Sequence, residues 1–297
     1  MNNNLKQELR ERFNPDGSLL RRQQLRMLEL LEAVDLVCKK YDIPYWLSSG
    51  TLIGAVRHQG FIPWDDDADI GMPRNDYETF LQNAHLWLPE RYELVHSQNT
   101  PDYPYPFARL QDAQTTYIMR RNFSFIGGIP LDIFPLDGMT QHPIKRWFHY
   151  KRYRFFQKVA YYSFVNPYKH GKGIYYYFVT ACRTLFSPTN TLKKLNDIQQ
   201  EYNYEKSDLV ADHDNLPYRG ILPKEVYGEP TPIEFEGKKL MGVANTEAYL
   251  KYCYGNYMEI PSLNKRSKRN YRYMNPNLPY KLYKKHTNKN IKPHDRI

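Results

Sequence analysis

Apolar residues recur at helical spacing between positions 19 and 39, where Leu25, Leu28, Leu31, Val34 and Leu36 punctuate the charged positions of LLRRQQLRMLELLEAVDLVCK. This stripe predicts an amphipathic helix laid on a core. Asp42 and Pro44 disfavour its continuation. Shorter runs follow. YWLSSG predicts a strand entering a turn, residues 54–60 a helical turn and then a loop, and ADIGM a second strand. RNDYETFLQNAHLWL has the period of another helix, with Asn75 or Asp76 as its cap. RYELVHS predicts a strand, and the proline-rich TPDYPYPFARLQD a loop entering one more. TTYIM and IPLDIFPLDG are strand-like runs separated by residues 123–128, where Gly127 and Gly128 serve turn geometry. The order of elements predicts an α/β or α+β core in which neighbouring strands carry carboxylates.

From Pro143 to Ser187 the pattern changes to interleaved aromatic and basic residues, as in KRWFHYKRYRFFQKVAYYSF and GIYYYFVTACRTLF, which predict two helices. LNDIQQEYNYEKSD predicts a solvated helix. YRGILPKEVYG, TPIEFEGKKLMGV and NTEAYLKYCYGNYMEIP return to strand, turn and helix, the last capped by Asn245 or Thr246. Beyond Leu263 the chain is basic, with prolines and few aliphatics, and is expected to be loosely held. The segments are therefore an N-terminal helix and core over 1–140, an aromatic-basic helical insertion over 141–200, the C-terminal part of the core over 201–262, and a basic tail over 263–297.

With 41% apolar and 15% aromatic residues among 297, the composition is that of a folded chain with a substantial core. No window reaches 18 uninterrupted apolar residues, and MNNNLKQELRERFN lacks the features of a signal peptide, so a cytoplasmic location is expected. Cys38, Cys182 and Cys253 are odd in number and scattered, which fits reduced thiols better than disulfides or zinc. The net charge of +10 is unevenly placed: Gly138–Asn196 holds 11 Lys or Arg and no acid, and the stretch after Glu259 holds 11 more against Asp295 alone. The rest of the chain is net acidic, so the molecule is bipolar, with basic portions suited to an anionic partner.

The acidic portion contains GTLIGAVRHQGFIPWDDDADIGM, with Asp65, Asp66, Asp67 and Asp69 inside five positions. Carboxylates so crowded repel one another unless a cation or water relieves them. On a strand, Asp67 and Asp69 project to one face while Ala68 and Ile70 pack inward. Oxygen ligands without nearby His or Cys suit Mg²⁺ or Mn²⁺. Asp132, in the apolar run PLDIFPLD, completes a metal triad or serves as the base on an incoming hydroxyl. His142, His149 and His213 show no ligand spacing and are expected to be structural.

WLSSGTLIGAVRHQGFIPWDDDADIGM, PLDIFPLDG and the later LPKEVYGEPTPIEFEGKKLMGVANTEAYLKYCYGNYMEIP together resemble the LicD family, bacterial cholinephosphotransferases related to fukutin and fukutin-related protein. The resemblance implies a nucleotidyltransferase-like mixed sheet flanked by helices. It implies that Ser49, Gly50, Thr51 and Gly54 hold phosphate, that Asp67 and Asp69 are paired metal ligands, and that Asp132 is the third carboxylate. Ser49 stands where the family pattern leads one to expect glycine. The implied chemistry is transfer of phosphocholine, or a similar substituted phosphate, from a CDP-linked donor such as CDP-choline to a sugar hydroxyl of a teichoic acid or lipopolysaccharide precursor, releasing CMP. Arg57 and His58 are expected to add positive charge, Arg57 through its phosphate-matching fork. Asp65 and Asp66 are expected to act from outside the metal's immediate ligands.

The aromatic-basic segment leaves three readings open: helices packing their aromatics on the core with bases in water, a peripheral contact with the inner face of a membrane through 143–187 and the tail, or nucleic-acid binding. The third ranks lowest, because no RRM, KH or zinc-finger pattern accompanies the charge. A choline donor would want an aromatic cage; Tyr103, Tyr105 and Phe107 are candidates. Two rival functions remain: a nucleotidyltransferase of the same fold that releases pyrophosphate, and a non-catalytic protein that binds anionic polymer, RNA or membrane.

Overall fold

A computed structural model describes residues 2–121, 123–170, 173–214, 218–263, 266 and 269–290. Ser18 caps the predicted amphipathic helix α2 (Leu19–Tyr41), which follows a first helix α1 (Asn3–Phe13); α2 buries Met27, Leu30, Leu31 and Val34. Next come β1 (Trp46–Leu47), α3 (Ser49–His58), β2 (Asp69–Pro73), α4 (Arg74–Trp87) and β3 (Tyr92–Val95). Two long strands, β4 (Ala108–Met119) and β5 (Gly127–Met139), complete the first half. The aromatic-basic segment folds as three helices, α5 (Pro143–Phe164), α6 (Ile174–Leu185) and α7 (Pro188–Gln199). Then follow β6 (Leu209–Ala211), β7 (Ile221–Pro223), α8 (Lys224–Tyr227), β8 (Thr231–Phe235), β9 (Lys238–Gly242), α9 (Thr246–Tyr254), β10 (Tyr271–Asn275) and α10 (Tyr280–Asn290).

Among the described residues, β1, β2, β5, β4 and β10 lie in that order in one mixed sheet, with β3 joined to β4, and β6 and β7 continuing from β5. The β2–β5 pairing is parallel and the others are antiparallel. The core lies between this sheet and α2 and α4, where Ile70, Phe80, Leu110, Leu131 and Ile133 have no solvent exposure. Helices flanking a mixed sheet give the nucleotidyltransferase-like α+β architecture.

Several expectations are corrected. The glycines at 50 and 54 do not mark a turn; residues 49–58 form helix α3. A Cβ on Gly54 would meet the Gly60 carbonyl at 2.4 Å, so this glycine permits the returning chain to lie against the helix. Neither Asn75 nor Asp76 caps α4, whose cap position is Pro73. ARLQD and TTYIM belong to one strand, bent where its register shifts between Asp112 and Tyr117. Gly127 and Gly128 open β5 rather than a turn; a Cβ on Gly128 would stand 2.0 Å from the Asp112 carbonyl. The helix assigned to LNDIQQEYNYEKSD begins earlier, at Pro188, and ends at Gln199, with Leu195 and Ile198 buried against Tyr153 and Ala160 of α5.

The largest correction is to the tail over 269–290; the same expectation for 264–265, 267–268 and 291–297 lies outside the described residues. Residues 271–275 form the strand β10 on the edge of the main sheet, and Thr116 donates to the carbonyl of Leu278 at 2.6 Å. Ladder bonds hold this segment together with the few apolar residues it has, Met274 being buried in the core and Tyr271 packed against it. Two of the three histidines expected to be structural are joined, His149 Nε2 lying 2.9 Å from His213 Nε2, with Glu201 2.8 Å from His149 Nδ1. All three cysteines are free and buried. No helix among the described residues is long and apolar enough to cross a membrane.

Candidate active site

Three neighbouring strands set charged side chains in one row. Asp69 on β2 pairs with Asp132 on β5, and Asp132 pairs with Arg109 on β4. Ala68 and Ile70 are buried on either side of Asp69, as the alternation of a strand requires. Asp67 precedes β2 and shares the same cavity, of about 940 Å³, whose wall includes Asp67, Asp69, Asp132 and Arg109.

The loop carrying the aspartates is fixed from behind. Gln23 and Gln24 are buried on α2 and donate to the carbonyls of Asp66 at 2.7 Å and Asp65 at 3.0 Å. Thr51 Oγ1 accepts from the Asp69 N–H at 2.8 Å, and the Asp132 N–H donates to the Ala68 carbonyl at 2.9 Å. These bonds lock α3, β2 and β5 into one frame. From the far end of the chain, Asn270 donates through its backbone to Asp66 at 2.7 Å, and through its side chain to Asp66 at 3.0 Å and Asp67 at 3.1 Å.

Burial, and then mutual repulsion, raises the carboxyls. Asp69 is pushed well up by burial and by Asp67, Asp132 and Asp65, and Asp65 by burial, Asp67 and Asp66. Burial raises Asp67, while its hydrogen bond with Asp65 works the other way. Burial lifts Asp66 to about 6 against the bonds from Asn270. Asp65, Asp66 and Asp67 each bring a ligand atom within 4.8 Å of the others. A cluster of oxygen-only donors, strained by like charge, fits a hard divalent cation such as Mg²⁺ or Mn²⁺. Asp132 is differently placed: Arg109 grips both its oxygens, at 2.6 and 3.0 Å. Burial opposes the charge on Arg109, but Asp132 overrides it and holds the guanidinium protonated.

Asp67, Asp69 and Asp132 are therefore brought together. Ser49, Gly50, Thr51 and Gly54 stand behind the aspartates and off the cavity wall. Asp65 occupies the space in front of Gly50, where a Cβ would lie 2.8 Å from its Oδ2. Ser49 has φ of 49°, the left-handed region that favours glycine, which is the physical content of the expectation at this position. Arg57 and His58 are not brought to the cavity. Arg57 is buried and donates to the carbonyls of Tyr257 at 2.8 Å and Glu259 at 3.1 Å. His58 lies in a separate hollow beside Lys6 and Arg10, where burial and then Arg57 depress it to about 3.

The positive charge on the cavity wall comes instead from Arg109, Arg120, Arg121, Arg154, Lys158 and Arg269. Arg109 was the residue least visible beforehand, since only the β4–β5 register reveals its partner. Tyr105 and Phe107 line the cavity, stacked with ring centroids 4.9 Å apart, and Phe123 and Tyr161 continue the aromatic wall. Arg109 lies 4.4 Å from the Tyr105 ring centre. Tyr103 is buried behind this wall.

Residues 42–171 match the family model described as LicD/FKTN/FKRP, nucleotidyltransferase domain. The chain is 29% identical over 251 residues to lipopolysaccharide cholinephosphotransferase LicD of Haemophilus influenzae, covering 82% of this chain and 92% of that protein. It is 42% identical over 74 residues to ribitol-5-phosphate transferase FKTN of Mus musculus, covering 24% of this chain and 16% of that protein. With ribitol 5-phosphate transferase FKRP of Homo sapiens it shares 38% identity over 68 residues, 22% of this chain and 12% of that protein. The matched segment holds the whole Asp69–Asp132–Arg109 row, so the part of the chain that carries the candidate site is similar to the LicD-type nucleotidyltransferase domain.

Proposed function

We propose that the protein transfers a substituted phosphate, phosphocholine or a close relative, from a CDP-linked donor to a sugar hydroxyl of a lipopolysaccharide- or teichoic acid-type precursor, with release of CMP. One observation carries this reading: the carboxylates of Asp67, Asp69 and Asp132 meet on one wall of a large cavity whose other walls are cationic and aromatic. Similarity to the Haemophilus cholinephosphotransferase along most of both chains supports the reaction class.

Asp67 and Asp69 are the proposed ligands of Mg²⁺ or Mn²⁺, which when bound would neutralise the donor diphosphate and stabilise the leaving nucleotide. The side chains of this chain do the positioning that phosphoryl-type transfer chiefly requires. Arg109 orients Asp132 through its two-pronged grip, aiming a carboxylate into the cavity as hydrogen-bond acceptor for the acceptor hydroxyl. Arg120, Arg121 and Lys158 present charge to phosphate oxygens of donor or acceptor. Tyr105, Phe107, Phe123 and Tyr161 form an apolar wall whose ring faces suit a quaternary ammonium.

Incubation with CDP-choline, Mg²⁺ and a glycan precursor, followed by mass detection of nucleotide, tests the assignment. CMP together with a glycan heavier by one phosphocholine is the expected outcome. Pyrophosphate from a nucleoside triphosphate would assign nucleotidyl transfer instead. Salt-sensitive polymer binding that ignores Mg²⁺, with no turnover of any CDP donor, would leave the protein as a binding module.

A further inference from the structure

Helix α6 turns one apolar face away from the core. Ile174, Tyr177, Phe178, Ala181 and Leu185 follow the i, i+3, i+4, i+7, i+11 spacing of a single helical face. That face is turned to solvent: Ile174 is 91% exposed, Leu185 75%, Tyr177 68% and Phe178 50%. The residues that α6 buries are Val179 and Cys182. Helix α5 repeats the spacing with the exposed apolar residues Ile144, Trp147, Phe148 and Phe155, the intervening position on that face being Lys151. Single exposed apolar residues are ordinary, but contiguous stripes mark a surface that something covers.

The neighbouring charges identify what covers it. No acid lies between Gly138 and Asn196, and the exposed bases include Lys145 and Lys151 on α5 itself and Lys193 and Lys194 on the adjoining α7. A second copy of the chain would set these bases against their own counterparts. Anionic lipid headgroups would neutralise them, while aromatic and aliphatic side chains enter the acyl boundary. Neither helix is long and apolar enough to cross a bilayer, which leaves a helix lying on its surface. Helix α5 also supplies Arg154, Lys158 and Tyr161 to the cavity wall, so Phe155 of the stripe is the immediate sequence neighbour of a cavity residue.

We propose that α5 and α6 form a docking face for the surface of an anionic phospholipid bilayer, which seats the cavity beside the lipid headgroups. The test is co-sedimentation of the full chain with vesicles of phosphatidylcholine alone and with vesicles containing phosphatidylglycerol. Binding is expected to the anionic vesicles and to weaken with salt. The variant Ile174→Ser, Phe178→Ser, Leu185→Ser should bind about tenfold or more weakly, and Lys145→Glu or Lys151→Glu about fivefold more weakly each. All five side chains are exposed, and circular dichroism and the melting temperature verify that the variants fold. Absence of binding to the anionic vesicles, or a triple variant that binds like the wild type, overturns the proposal. A dimer in light scattering that dissociates in the triple variant also overturns it, assigning the face to a second copy. The measurement needs no donor or acceptor, so its failure leaves the proposed reaction untouched.

Discussion

On the sheet, Asp69, Asp132 and Arg109 are charged side chains on strands where Ile70, Ile133 and Leu110 are fully buried. On helix α6, Ile174, Tyr177, Phe178 and Leu185 are apolar side chains left in water. Each region departs from the ordinary partition of polar outside and apolar inside, and the departures run in opposite directions. A buried charge demands a compensating ion or hydrogen bond, and an exposed apolar stripe demands a cover. The two regions are built differently: the sheet fixes a row of charged groups on the cavity wall, and the helices α5 and α6 turn apolar residues outward while α5 also lines that wall.

The largest effect should come from the acidic side. Asp67→Asn and Asp69→Asn are expected to lower CMP release by about a hundredfold or more, with an unchanged or higher melting temperature, because each removes a repelled carboxylate. Turnover retained in both variants would break the assignment. Arg109→Ala should reduce stability in denaturant melts by about 3 kcal/mol by leaving Asp132 without its partner, and adding Asp132→Asn should recover most of it; an Arg109→Ala melt matching wild type would show that Asp132 does not depend on this partner. Mg²⁺ at a hundredfold excess over its dissociation constant should stabilise the wild type by about 2.7 kcal/mol. The same titration on Asp67→Asn with Asp69→Asn should give no shift, and an equal shift there would place the ion elsewhere.

The smallest effect is expected on the helical side. Burial pushes Asp214 up to about 6, opposed by hydrogen bonds from Tyr153, Gln157 and Gln199. A raised carboxyl favours the folded state while protonated, so its contribution is full below the ordinary carboxylate range and is lost as pH rises through about 6. Asp214→Asn should flatten the fall in melting temperature between about pH 4 and 6. An unchanged slope would transfer the dependence to other buried carboxyls.

What the sequence disclosed follows from how local each cause is. The helix α2, the aspartate run and the apolar frame around Asp132 are written in consecutive residues and were legible, but the buried face of α2 was only partly so: Leu25 and Leu36 of the expected stripe are exposed, and Met27 and Leu30 are buried instead. Arg109 was not, because its meaning comes from a β4–β5 pairing with a residue 23 positions away. Arg57 was misleading for the same reason: its partners, Tyr257 and Glu259, are 200 and 202 residues distant. Gly50 and Gly54 resemble turn signals, but at Gly50 the close neighbour is a side chain and at Gly54 a returning backbone, inside a helix. The tail has little apolar material, and periodicity cannot register a strand held by ladder bonds. Its two contacts to Asp66 and Asp67 come from Asn270, a residue with no local motif.

Asn270 lies some two hundred residues beyond the carboxylates it fastens. During synthesis the aspartate loop must therefore wait, without this clasp, while some two hundred further residues are made. A product that stopped before Asn270 would carry the acidic motif intact and yet lack this tether, so the loop takes its final shape only after residues made late in translation have joined it.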